Sequence, residues 1–138
     1  MKPTQQQLEQ FFQQDFPQAN FLIDEVSERS ARVRKCITVQ HLRPGGTVAG
    51  PVMMELADTA LYVAILHQIG LVALAVTTNL TINFLHKPRA DRDLIADCRL
   101  IKVGKKLIIG DVFLDADGQE EAVAHAVGTY AIPPTPPV

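Results

Sequence analysis

A chain of 138 residues, 47% hydrophobic and 20% charged, carries apolar material for one core and is short for two domains. Its formal charge of -2, with basic residues scattered or in short groups, sets up no field that would draw it to nucleic acid or an anionic membrane. Cys36 and Cys98 lie far apart with no CxxC and no His cluster, so they are read as free buried thiols, and neither a disulfide nor a metal site is expected.

The start is Gln-rich, without a cationic segment and apolar signal core, and a cytoplasmic protein is expected. Residues 4–16 predict a short amphipathic helix: Thr4 caps it, Leu8, Phe11, Phe12 and Phe16 recur at three- and four-residue steps, and Pro17 ends it. Residues 21–26 and 31–39 predict a hairpin about a turn at 27–30. In its second strand Val33, Cys36 or Ile37, and Val39 alternate with Arg32, Arg34 and Gln40. Residues 41–50 hold three glycines and a proline, a shaped loop that delivers the chain into a helix over 51–66; Pro51 suits the first turn and Gly70 the stop.

Four strand-like runs follow, at 72–85, 93–103, 106–115 and 121–132, with turns at 87–91, 103–105 and 115–119. Leu80, Ile82 and Phe84 alternate with Thr81, Asn83 and Leu85, the period of a half-buried strand. Residues 133–138 form a Pro-rich stretch expected to be a flexible tail. The chain shows no repeat and no linker. It reads as a single α+β domain over 1–138, with an N-terminal helix within 1–17 and an antiparallel sheet curled around one buried helix.

That helix is apolar on nearly every side, and only Glu55 and Asp58 interrupt it before Leu66. It is slightly short and too acidic to span a bilayer. An ionised acid taken out of water must find partners or shift its pKa upward, and acids so placed are often the bases and nucleophiles of active sites. Asp58 is the leading candidate; an ion pair at a subunit edge is the structural alternative. Thr59 lies about 100° around the helix from Asp58, where its hydroxyl can bond back within the helix. Tyr62, one turn on, packs.

The stretches HLRPGGTVAGPVMMELADTA, TTNLTINFLHKP, KVGKKLIIGDV and AVGTYAI resemble those of the hotdog-fold thioesterase superfamily, and within it the phenylacetate-pathway (PaaI-like) acyl-CoA thioesterases. The resemblance runs from about Asn20 to Ile132. It implies an acid at Asp58 that attacks the thioester or activates water, and a backbone N–H at the helix start that polarises the carbonyl. Helix N-terminal amides suit an oxyanion. Pro51 has no N–H, which leaves Gly50 as the donor. The loop departs from the family pattern at Arg43, Ala49 and Pro51, where Asn, His and Gly are usual; Arg43 hints at an anionic or polar acyl tail.

His41 and Gly46 of the loop, with Arg43, Thr59 and Phe84, are the candidate substrate contacts, and Met53, Met54 and Leu85 are candidates for the acyl slot. Lys105 and Lys106 of the Gly104 hairpin, with Lys102, are candidates for coenzyme A phosphates, as are Lys87, Arg89 and Arg92 around Pro88. No metal or cofactor is expected beyond the coenzyme A of the substrate. The resemblance implies a homodimer, or a homotetramer made as a dimer of dimers, with the site at the subunit interface.

Two other readings stand beside it. His41 and Glu55 are fourteen residues apart, the separation of the acid–base pair in hotdog beta-hydroxyacyl dehydratases. A non-catalytic protein that binds an acyl thioester is the other. No GxSxG elbow and no phosphate-loop motif is present.

Overall fold

The computed structural model describes residues 2–134, so positions 135–138 of the expected tail lie outside the described residues. The first helix, α1 (Gln5–Asp15), starts on Thr4 through a capping box: Thr4 Oγ1 accepts from the Gln7 amide at 3.2 Å, and Gln7 Oε1 accepts from the Thr4 amide at 2.9 Å. Such a cap is worth about 1 kcal/mol and fixes where the helix begins. Leu8 and Phe12 turn inward from it.

A short 3-10 turn, Pro17–Ala19, leads to β1 (Leu22–Ser27), which pairs with β2 (Ser30–Lys35) across a tight turn in which Arg29 has φ 56°. Two short strands, β3 (Leu42–Arg43) and β4 (Thr47–Val48), form a miniature hairpin ahead of the long helix α2 (Gly50–Ile69). Then come β5 (Val76–Phe84), β6 (Leu94–Val103), β7 (Leu107–Ala116) and β8 (Ala124–Ala131). Six strands build one antiparallel sheet in the order β1-β2-β6-β7-β8-β5, and β3 and β4 pair only with each other.

The inward rows follow the pleat. Leu94, Ala96, Cys98 and Leu100 of β6, and Ile108, Val112 and Leu114 of β7, are buried against α2. The closest approach is at Leu61, which seats on two glycines paired across β7 and β8, Gly110 and Gly128. A Cβ on Gly110 would stand 2.8 Å from Leu61 Cδ2, and one on Gly128 would also run into the Leu61 side chain. Glycine here is a packing requirement, since any side chain would push the helix off the sheet.

At 20 residues α2 is longer than the expected 51–66, and long and apolar enough by composition to cross a membrane; half of that stretch is buried inside the protein as the core helix. It is not wrapped on every side. Met53, Leu56, Ala57, Ala60, Leu61, Ala64 and Ile65 are buried, while Pro51, Met54, Glu55, Asp58, Thr59 and Tyr62 form a stripe that the sheet leaves open.

Three sequence expectations change. The strand expected over 31–39 ends at Lys35, and its inward row is Ala31, Val33 and Lys35. Lys35 is admitted because its ammonium donates to the Asn20 carbonyl at 3.0 Å and the Ala19 carbonyl at 3.5 Å while its stem packs. Cys36 then falls beyond the strand and is exposed; Cys98 alone is the buried thiol. Along β5, Leu80 and Ile82 are half-buried but Phe84 is 50% exposed.

The two sheet edges differ. The β1 edge is partly covered by α1, where Gln5 Nε2 donates to the Ile23 carbonyl at 2.9 Å. Among the described residues no strand pairs with the outer edge of β5, and Val76 and Phe84 are exposed along it.

Candidate active site

The open stripe of α2 forms one wall of a cleft of about 540 Å³, with α1 opposite it and the approach to β5 at its end. Asp58 stands half-buried in this wall. Its Oδ1 accepts two hydrogen bonds, from Thr77 Oγ1 at 2.7 Å and from the Tyr130 phenol at 2.8 Å. Tyr130 also donates to the Asp58 backbone carbonyl at 3.1 Å. Oδ2 accepts no hydrogen bond among the described residues. One carboxylate oxygen is thereby anchored while the other is left for a ligand. No Arg or Lys pairs with Asp58 among the described residues.

Thr77 reaches Asp58 because of a bulge. Tyr130 and Gly128 face the helix together, and their β5 partners are Thr77 and Leu80, three residues apart. Regular alternation would put Thr77 and Leu80 on opposite faces; the register shift between Thr77 and Asn79 brings both to the inner one. Tyr130 is 3% exposed, and burial first, then the charge of Asp58, holds its phenol far above the ordinary tyrosine range, so it stays a donor.

Tyr62 packs, as its position predicts. Its ring stacks on Tyr130 at 6.0 Å, meets Phe12 edge-on at 5.6 Å, and its hydroxyl donates to the Ala73 carbonyl at 2.9 Å. Thr59 lines the cleft while its hydroxyl bonds back to the Glu55 carbonyl at 2.8 Å. Glu55 also lines the cleft, largely exposed, with one oxygen 4.0 Å from Lys35 Nζ.

The other sequence candidates lie elsewhere. Gly50 is the first residue of α2, and its N–H has no acceptor among the described residues, as the first amides of a helix do not. The Phe84 ring lies against it, with Cζ 3.2 Å from where a Gly50 Cβ would be. Eight residues of helix separate Gly50 from Asp58, about 12 Å along the axis, so in one chain the two do not face the same carbonyl.

His41 braces the loop: its Nδ1 accepts from the Thr38 amide at 2.8 Å, and its carbonyl accepts from the Ala49 amide at 2.9 Å. Arg43 and Gly46 are exposed at the β3–β4 turn, closed by Gly46 N–H to the Arg43 carbonyl at 3.0 Å. Lys105 and Lys106 are exposed at the β6–β7 hairpin, and Arg89 is engaged with Asp91. Met53, Met54, Phe84 and Leu85 do not line the Asp58 cleft; the rings that do are Phe11 and Phe12 of α1, Phe16 just past its end, Tyr62 and Tyr130.

Thr77 and Tyr130 were not singled out by sequence. Both sit in stretches that carry the family resemblance, TTNLTINFLHKP and AVGTYAI, and that was the available signal.

A six-stranded antiparallel sheet closed around one long helix, with an acid midway along that helix, defines the hotdog class of α+β proteins. The family model described as the thioesterase superfamily matches residues 45–123, more than half of the sequence, and the chain belongs to that superfamily. A proposed thioesterase from Silicibacter sp. TM1040 is 42% identical, with a TM-score of 0.86 over 94% of this chain and 92% of that one. The PaaI protein of the Escherichia coli phenylacetic acid degradation operon is 25% identical, with a TM-score of 0.83 over 94% of each chain. A hypothetical thioesterase protein from Streptococcus pneumoniae TIGR4, solved with coenzyme A, shares the fold at 21% identity and a TM-score of 0.77, over 90% of this chain and 95% of its own. No curated protein sequence matches the chain.

Proposed function

We propose that this member of the thioesterase superfamily hydrolyses an acyl-CoA thioester, with Asp58 as the general base or nucleophile. The observation that carries the reading is the carboxylate itself: Oδ1 is fixed by Thr77 and Tyr130, and the group stands in a cleft with no cation against it among the described residues. In the base form, Asp58 takes a proton from water as its oxygen adds to the thioester carbonyl. The carbonyl oxygen becomes an oxyanion, the C–S bond breaks, and the thiolate leaves to take up a proton, giving free acid and CoA.

The Gly50 N–H is the oxyanion donor. Because about 12 Å of helix separates it from Asp58 in one chain, the donor comes from a second copy, joined through the outer β5 edge. The chain thus works as a homodimer, or as a tetramer of two such dimers, with His41 holding the loop that presents Gly50. Arg43, Lys105 and Lys106 supply positive charge for the coenzyme A phosphates from their exposed turns. The setting is cytoplasmic, and no cofactor beyond the substrate's coenzyme A takes part.

No observation favours the dehydratase reading: the Nδ1 of His41 is occupied in bracing its own loop, where it accepts from the Thr38 amide. The test is thiol release from a panel of acyl-CoAs by the parent protein and Asp58→Asn. A loss of about 10²-fold or more is expected for the variant; parental rates in Asp58→Asn would overturn the assignment.

A further inference from the structure

The cleft beside Asp58 is walled on one side by α1, which lies outside the residues that match the family model. Building on the thioesterase reading, we propose that α1 is the selectivity wall of this cleft. Phe11 on the helix and Phe16 at its C-terminal end, backed by the buried Phe12, receive an uncharged, apolar acyl group, and Asp15 together with Glu55 turns away acyl groups that end in a carboxylate.

Phe12 meets Phe21 at 4.9 Å, Phe11 at 5.3 Å and Tyr62 at 5.6 Å, all edge-on, and Tyr62 stacks on Tyr130, which holds Asp58. An unbroken run of rings therefore connects the α1 wall to the acid. An acyl chain laid over Phe11 and Phe16, the accessible rings of this wall, exchanges water for apolar surface on one side and keeps its carbonyl near Asp58.

The wall is held in place. The capping box fixes its start, the Pro3 carbonyl lies 2.8 Å from His67 Nδ1 on α2, and Lys35 grips the Ala19 and Asn20 carbonyls just past its end. It is a preformed surface, so its side chains set what fits.

The charge side is the census of the lining. Among the described residues of the chain, Asp15, Glu55 and Asp58 are the charged lining of the cleft, with no Arg or Lys beside them. Lys35, the cation near Glu55, has its ammonium turned to backbone carbonyls and does not line the cleft. The field of Asp15 reaches the interior: after burial, its charge is what holds the Tyr62 phenol above the ordinary range. A carboxylate at the end of an acyl chain would face these like charges on the α1 and α2 walls. Within one chain Arg43, whose loop position suggested an anionic tail, is exposed on the β3–β4 turn and does not line this cleft.

The experiment compares matched pairs of acyl-CoAs of equal chain length, one ending in methyl and one in carboxylate, by kcat/KM for thiol release. Parent, Asp15→Asn, Asp15→Asn with Glu55→Gln, and Phe16→Ala are used, each with a thermal melt to confirm folding. In parallel, calorimetry measures binding of the corresponding non-hydrolysable S-alkyl-CoA thioethers to Asp58→Asn.

The parent is expected to prefer the uncharged member by ~10-fold or more. Neutralising Asp15 and Glu55 narrows that ratio several-fold, and Phe16→Ala raises KM for the uncharged member more than it lowers kcat. Equal handling of both members by the parent, or a ratio unmoved in the doubly neutralised protein, overturns the proposal while leaving hydrolysis standing. If no thioester is cleaved but the thioether preference persists, the hydrolysis reading fails and the wall stands. Absence of preference in both measurements removes the wall.

Discussion

Tyr130 and Asp58, 72 residues apart in sequence, are joined by a 2.8 Å hydrogen bond from phenol to carboxylate, and the same phenol also reaches the Asp58 backbone carbonyl. The bond orients the carboxylate about its side-chain torsions, and Thr77 completes the clamp on the same oxygen. Removing either donor frees the acid to rotate. A hydrogen bond to a charged group is worth about 1.5–3 kcal/mol, so Tyr130→Phe should lower kcat for thiol release roughly tenfold or more with a smaller change in KM. Thr77→Val should act in the same sense, and the double variant should fall short of the product of the two single losses because both hold one oxygen. Independent, multiplying losses would show that the two donors do not act on a common group.

The same phenol predicts an alkaline limit to stability. Burial and the charge of Asp58 hold Tyr130 above the ordinary tyrosine value of 10.0, so above that pH the unfolded chain has lost a proton that the folded chain keeps. With a folded pKa raised above the unfolded one, the contribution is fully present below the unfolded value and is lost as pH rises toward the folded one. Tyr62 shifts in the same direction. Urea unfolding from about pH 9 to about pH 11 should show stability falling for the parent and falling less steeply for Tyr130→Phe. Identical slopes for the two proteins would argue against a buried, protonated phenol.

The sheet and its central helix were legible because their patterns are local: period two in β6 and β7, a near-continuous apolar run in α2, and capping chemistry at Thr4. Asp58 stood out for the same reason, as an acid in an apolar run. What the pattern hid depends on three-dimensional placement. Lys35 reads as outward by polarity, and only the carbonyls of Ala19 and Asn20 make its inward position tolerable. Thr77 reads on the wrong face until a bulge shifts it, and no local residue announces that bulge. Tyr130 looked like one strand aromatic among others, because its partner comes from a helix far away in the chain.

Gly128 in the GTY stretch has a separate duty from Tyr130 two residues on. Leu61 occupies the space that any side chain at Gly110 or Gly128 would need. Gly128→Ala should therefore destabilise the protein by about 1–3 kcal/mol through overpacking, and Leu61→Ala in the same protein should recover part of the added strain. Chemical denaturation of the two single variants and the double variant measures this. A fully additive result would mean that Leu61 is not the neighbour that matters.

The two cysteines should differ sharply in reactivity. Cys36 is exposed, whereas Cys98 is 3% exposed and burial first, then the charge of Asp111, raises its thiol well above 9.0. The thiolate is the reactive form, so an aromatic disulfide reagent at mild pH should titrate one thiol quickly in the folded protein and the second only after denaturant is added. Cys36→Ser should abolish the fast phase. A fast phase that survives this substitution would place Cys98 in contact with solvent.

In the proposed dimer each site takes Gly50 from one copy and Asp58 from the other, because about 12 Å of helix separates the two within a chain. Gly50→Pro removes the N–H at a helix position that tolerates proline, and Asp58→Asn removes the acid. Each homodimer is then defective at both sites. In a heterodimer of the two variants, one site collects both defects and the other is wholly parental, so unfolding and refolding an equal mixture should restore about a quarter of parental activity. Thermal melts of the separate variants establish that each is folded beforehand. Recovery depends on exchange of subunits and should vanish if the two proteins are mixed without unfolding. A refolded mixture with no gain would place the donor and the acid in the same chain, and the oxyanion partner of Asp58 would have to be sought within its own cleft.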